Sequence, residues 1–189
     1  MSAALSLLTA GFAEAATYLS SRSVGDGSVD ISITTDGTLG TLKAANISDW
    51  TLILTRGGVA ITANSANSSF QISGDAFSAT ATDLQFDHSL DLSFIRVLTS
   101  GMALGDRSWW CIGKYCSTGA GAPGAAEFVS VAPFMANSYT YQQYSGVQTI
   151  ASISSAVPEP ATWAMIIIGF GAAGSMVRTS RRRNAFSAA

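Results

Sequence analysis

Between Ala16 and Ser155 the chain alternates apolar side chains with Ser, Thr or Asp, a period of two rather than the 3.6 of a helix. Val29, Ile31 and Ile33 alternate with Ser28, Asp30 and Ser32, and Thr34-Thr35-Asp36-Gly37 follows as a turn signalled by Asp-Gly. Such alternation suits a strand, whose successive side chains point to opposite faces. Trp50 to Thr55 and Val59-Ala60-Ile61, parted by Gly57-Gly58, predict a hairpin. Phe70 and Ile72 mark a short strand ended at Gly74-Asp75, and Phe77 to Phe86 reads as one longer strand. Leu90, Leu92 and Phe94 line one side of the next, against Ser89, Asp91 and Ser93. Phe128 to Val131, Tyr139-Thr140-Tyr141 and Val147 to Ile153 complete the set. About eight to ten short strands between polar turns predict a mainly β body, an antiparallel β-sandwich or jelly roll, over residues 16–152.

The 189 residues hold one such domain with appendages. Charged residues are 12% of the chain, about half the usual share of soluble proteins. With abundant Gly, Ser, Thr and Ala, this is a composition of exported, strand-rich proteins. Four of the ten basic residues, Arg178, Arg181, Arg182 and Arg183, lie at the carboxyl end, so the part before Pro158 carries six basic against eleven acidic residues. That mildly acidic body offers no phosphate-neutralising surface and argues against nucleic acid as a partner.

The two ends read as addresses. Ala3 to Phe12 is apolar, and Ala13-Glu14-Ala15 places small residues where an export peptidase reads them, so residues 1–15 are expected to be the back half of a signal peptide. No Lys or Arg precedes the apolar run, so either the natural start lies upstream of Met1 or the segment is the first buried element of the fold. At the other end residues 161–177 carry no charge, and as a helix they reach roughly 25 Å, at the short limit for crossing about 30 Å of hydrocarbon. Trp163 sits where an interfacial aromatic belongs, and the arginines of 178–189 are expected to stay cytoplasmic as a stop, which places the body beyond the inner membrane. Gly169, Gly171, Ala173 and Ser175 thin one side of that helix for close approach of another. The alternative is a buried core helix with a solvated basic tail. Residues 153–160 form a linker whose Pro158 and Pro160 restrict the backbone and keep the segment extended, a peptide presented to a protease cleft.

Val157-Pro158-Glu159-Pro160, Ala161-Thr162-Trp163-Ala164-Met165, the Ile-rich run, Gly169-Phe170-Gly171 and the arginine cluster together resemble the PEP-CTERM sorting signal. The resemblance implies that Pro158, Glu159, Pro160 and Trp163 form a processing motif for an exosortase, a membrane transpeptidase-like cysteine enzyme thought to cut at or near the tripeptide. It also implies a bacterium that makes extracellular polysaccharide. The stretch from Gly27 to Leu42, with Ile47 to Trp50, is similar to the opening of many ectodomains bearing that signal.

Within the body, Cys111 and Cys116 enclose four residues. In an oxidising compartment they predict a local disulfide that clips a loop; free thiols are the alternative. Zinc needs about four ligands, and the chain offers these two and His88, so no metal or other cofactor is expected. His88 is the one histidine; without a Gly-x-Ser-x-Gly elbow it reads as a turn or strand-edge residue, not as a catalytic base. Asp26, Asp30, Asp36 and Asp75 fall by turns, which side-chain capping explains, and no EF-hand pattern is present. Trp109, Trp110, Lys114 and Tyr115 gather aromatics and a cation among glycines. Either the rings form a ligand surface that stacks on sugars, or one Trp fills the core and the other covers the disulfide.

These readings predict a protein without enzymatic activity, exported and sorted to the envelope or extracellular matrix in a structural or adhesive role. A secreted hydrolase, a carbohydrate-binding protein delivered by the same signal, and a permanent single-pass membrane protein are the alternatives.

Overall fold

Two short glycine loops set the register of the first half. Strand β1 (Ala16–Val24) turns into β2 (Gly27–Thr35) through Gly25-Asp26, and Gly25 at φ +58 gives the glycine-first pattern of a type II′ turn. After β3 (Gly40–Thr41) and a single 3-10 turn at Ala44–Asn46, β4 (Ile47–Arg56) returns through Gly57-Gly58 into β5 (Val59–Asn64). Both glycines have positive φ, +58 and +78, as a type I′ turn requires. These hairpins place Val29, Ile31, Ile33, Leu52 and Leu54 on one face, all essentially buried.

The remaining strands are β6 (Ser68–Ser73), β7 (Phe77–Ala79), β8 (Asp83–Asp87), β9 (Phe94–Thr99), β10 (Trp109–Gly113), β11 (Ala126–Ser130), β12 (Thr140–Gln143) and β13 (Val147–Ile153). The chain is thus mainly β, as two antiparallel sheets. The eight-stranded sheet runs β3-β7-β8-β13-β1-β2-β4-β5, and the five-stranded sheet runs β12-β11-β10-β9-β6, a meander from β9 to β12 with β6 on its far side. Tyr18, Ile33, Leu54, Leu84 and Phe86 of the larger sheet share one core with Ile95, Val97, Trp110, Ile112 and Val129 of the smaller. Burying such side chains from both sides is the main favourable term in holding the sheets together.

This computed structural model describes residues 14–100, 107–114, 116, 125–132, 139–153 and 168. The chain divides into one unit, Met1–Ser154, and a second, Ser155–Ala189. Among the described residues no helix is long and apolar enough to cross a membrane. The expected span over 161–177 lies outside them except for Ile168, as do the expected signal segment up to residue 13, the motif residues Pro158, Glu159, Pro160 and Trp163, and the arginines.

Two strand expectations are corrected. The single strand over Phe77 to Phe86 is two, because Thr80 closes a tight turn: its Oγ1 accepts from the Asp83 N–H at 2.9 Å, and its own N–H donates to the Asp83 carbonyl at 2.8 Å. Leu90 and Leu92 precede β9 in a loop and are exposed, Leu92 with a left-handed φ of +59. The Asp87 carboxylate starts that loop by accepting from the Ser89 N–H, ending β8 before the apparent alternation can extend it. Strands β1 and β10 escaped the reading: Ser and Arg occupy inward positions of the first, and the second is apolar on both faces.

Ser93, just before β9, is gripped by two glycines. A Cβ on Gly113, at φ +125, would lie 2.3 Å from the Ser93 carbonyl oxygen, and one on Gly74, at φ +73, would lie 2.1 Å from the Ser93 Oγ. Gly113→Ala is therefore expected to lower stability by about 2–4 kcal/mol from positive-φ strain and backbone overlap. Urea unfolding checks this, and a loss below about 0.5 kcal/mol, the level of a neutral surface change, contradicts it.

Candidate functional site

The inward faces of the two sheets are not wholly apolar. Arg22 occupies an inward position of β1 between Tyr18 and Val24, and Glu127 occupies an inward position of β11 beside Val129. Their side chains meet between the sheets at 2.8 Å, the Glu127 carboxylate fully buried and the Arg22 side chain 14% exposed. The Arg22 Nε also donates to both carboxylate oxygens, at 2.9 and 3.2 Å, and its Nη1 donates to the Thr149 carbonyl on β13 at 2.8 Å. Trp110 completes the set, its indole N–H donating to Glu127 Oε1 at 2.8 Å. One carboxylate thus holds β1 and β10 to β11, with its buried charge both paired and hydrogen-bonded.

An aromatic stack extends this pair. The Arg22 guanidinium lies 5.3 Å from the ring centroid of Tyr144, Tyr144 lies 5.4 Å from His88, and His88 meets Phe86 edge-on at 4.9 Å. His88 is 3% exposed, and its Nδ1 is buried with no hydrogen-bond partner among the described residues. Burial first, and the Arg22 charge second, push its pKa down to about 4, while Asp87 pulls the other way. The turn position anticipated for His88 is correct, since it follows β8 and its N–H donates to the Gly146 carbonyl at 2.9 Å. Its burial was not anticipated.

Cys111 and Cys116 are joined as a disulfide, with Cα atoms 5.6 Å apart. With Ala126 and Phe128 they form a second, smaller apolar cluster, against which Phe94, Trp109 and Tyr139 pack. Cys111 and Phe128 are cross-strand partners on the face of the smaller sheet opposite the core. Trp109 packs beside the disulfide, 6.2 Å from Phe128 and 6.0 Å from Tyr139. The expected ligand surface of Trp109, Trp110 and Tyr115 needs correction at Trp110: neighbouring strand residues face opposite ways, so this ring is buried in the main core. Tyr115 lies outside the described residues.

Asp30, expected by a turn, lies instead within β2, where its carboxylate accepts from the hydroxyl of its cross-strand partner Ser21 at 2.6 Å. Of the turn aspartates, Asp26 pairs with Arg56 at 3.1 Å, Asp36 accepts from the Thr38 N–H and Asn46, and Asp75 pairs with Lys43. Hydrogen bonds, from Thr140 then Arg56 at Asp26 and from Asn46 then Thr38 at Asp36, hold these two below the usual carboxylate range. Among the described residues no three His, Cys, Asp or Glu side chains gather as a metal site.

Sequence reading missed the Arg22–Glu127 pair. The available signal was Glu127 itself, the one charge between Gly121 and Glu159, set at the parity of Val129 and Val131. Glu127→Ala is expected to cost about 3–5 kcal/mol, because it leaves a largely buried guanidinium uncompensated. Denaturant unfolding checks it, and a cost near that of an exposed ion pair, under about 1 kcal/mol, contradicts it. His88, with its folded pKa below its unfolded value, contributes fully above about pH 6.5; that contribution falls as the pH drops toward about 4, by about 3 kcal/mol. Unfolding at pH 7 and pH 4.5 is expected to show a smaller drop in His88→Phe than in the unmutated chain, and equal drops contradict the assignment.

Strand β13, between β8 and β1 in the larger sheet, ends at Ile153, and the Pro-Glu-Pro tripeptide begins at Pro158. Comparison with curated proteins and with solved structures finds no match. Residues 156–183 do match the family model described as the PEP-CTERM protein-sorting motif. That match covers Pro158, Glu159 and Pro160, Trp163, the uncharged run and Arg178, Arg181, Arg182 and Arg183. PEP-CTERM signals are processed by exosortase. The carboxyl-terminal segment of this chain is therefore a PEP-CTERM sorting signal, and it marks the protein for export and sorting to the cell envelope.

Proposed function

We propose that the two-sheet body, a β-sandwich, is held at the inner membrane, on its periplasmic side, by residues 161–177 with the arginines as cytoplasmic stop. An exosortase then cuts at or near Pro158-Glu159-Pro160, and the body passes to the envelope or surrounding polysaccharide matrix, where its role is structural or adhesive. The observation that carries this reading is the sorting match at 156–183, which begins only after Ile153 has closed β13. Removing the signal leaves every strand from β1 to β13 in place. At the other end β1 begins at Ala16, so a cut after Ala15 also leaves the sheet whole. The Cys111–Cys116 disulfide suits the oxidising compartment that export supplies.

Carbohydrate binding is a second reading, favoured by the partly exposed rings of Trp109 and Tyr139 beside Tyr141, which is 44% exposed. Flat rings held around Phe128 suit the apolar faces of sugars, and this reading uses the same delivery route.

Deleting Pro158 to Pro160 in the native bacterium is the test. The expected outcome is an uncut protein that stays with the membrane fraction, detected by antibodies to the body and to the arginine tail. Maturation and release at the normal rate contradict the proposal.

A further inference from the structure

Strand β5 forms one edge of the larger sheet, with β4 as its single neighbour there. In this hairpin Arg56 opposes Val59, Leu54 opposes Ile61 and Leu52 opposes Ala63. With a two-residue loop these pairs exchange the ladder hydrogen bonds, so the backbone groups of Ala60, Thr62 and Asn64 point away from the sheet. Asn67, in the turn after β5, fills part of that outward row. Its Nδ2 donates to the Thr62 carbonyl at 2.9 Å, and its Oδ1 accepts from the Asn64 N–H at 2.8 Å. One carboxamide therefore makes the donor and acceptor contacts that a residue of an added strand would make.

The rest of the row, both groups of Ala60 and the N–H of Thr62, has no partner among the described residues, and both residues are exposed. Among the described residues no charge, proline or bulge blunts this edge, since Gly57 to Gly74 contains no charged residue and no proline and the β4–β5 pairing carries no bulge.

We propose that the β5 edge is a strand-pairing site for β5 of a second copy of this chain, and that the Asn67 carboxamide is the plug that limits this pairing. A second copy fits because two-fold antiparallel pairing about Ala60 sets β5 against β5, Val59 of each copy facing Ile61 of the other, and neither strand carries a charge to set against another. Pairing Ala60 with its counterpart keeps Val59, Ile61 and Ala63 at the same parity, so their row continues on the core side of both sheets. This inference rests on the fold of the body and is independent of how the sorting signal is processed.

Sedimentation of the full chain in detergent, over a hundredfold range of concentration, tests it. Asn67→Ala is expected to lower the dimer dissociation constant at least tenfold relative to the unmutated chain. Adding Ala60→Pro, which deletes an outward N–H and no bond to β4, is expected to restore the original value. An Asn67→Ala chain that melts as a folded protein yet associates no more than the unmutated one overturns the proposal; so does association that Ala60→Pro leaves intact. If Asn67→Ala does not fold, Asn67→Ser replaces it, with a side chain too short for both contacts. In the unmutated chain, the Ala60 and Thr62 amides are expected to gain exchange protection as concentration rises, and unchanged protection overturns the proposal as well.

Discussion

The buried pairing of Arg22 with Glu127 is the interaction on which the body most depends. Apolar burial favours bringing the two sheets together but is indifferent to small slides between them. A fully buried carboxylate tolerates no such slide, because losing any of its partners leaves a charge without compensation in a low-dielectric interior. Arg22 on β1, Trp110 on β10 and the Thr149 carbonyl on β13 are tied to Glu127 directly or through the guanidinium. The pair thereby sets how the meander of the smaller sheet sits on the middle of the larger. Tyr144 and His88 extend the arrangement along the segment that carries the chain from β12 back to β13. The ion pair supplies register, and the apolar core supplies most of the stability.

Much of the body was legible wherever one face of a strand is buried and the other wet. Val29, Ile31 and Ile33 could be assigned to the core from spacing alone, and Gly57-Gly58 announced its hairpin. Legibility failed where that contrast disappears. Strand β10, buried on both faces by the main core and the disulfide cluster, has no alternation to read. In β1 the inward row includes Ser20 and Arg22, so polarity concealed the face. Leu90 and Leu92 carried the right spacing by coincidence, since the Asp87 turn had already ended the strand. The disulfide was readable from spacing and composition, whereas the Arg22–Glu127 pair joins residues 105 apart in sequence and needed the fold to bring them together.

The sorting segment was legible for a different reason. Its signature is local: two prolines, a tryptophan, an uncharged run and an arginine cluster follow one another within 28 residues, so the motif can be matched without any tertiary contact. The body, by contrast, ends cleanly at β13, an interior strand fixed by β8 on one side and β1 on the other. The two parts are therefore separable in function. One delivers, the other is delivered, and a cut between them disturbs no strand.

The most direct measurement of that separation is the intact mass of the protein recovered from the envelope of the native bacterium. The account predicts a chain that starts near Ala16, ends near Pro160 and is lighter by two hydrogens for the disulfide between Cys111 and Cys116. A mass that still includes Arg178 to Arg183 would show a body never parted from its signal and would contradict the account.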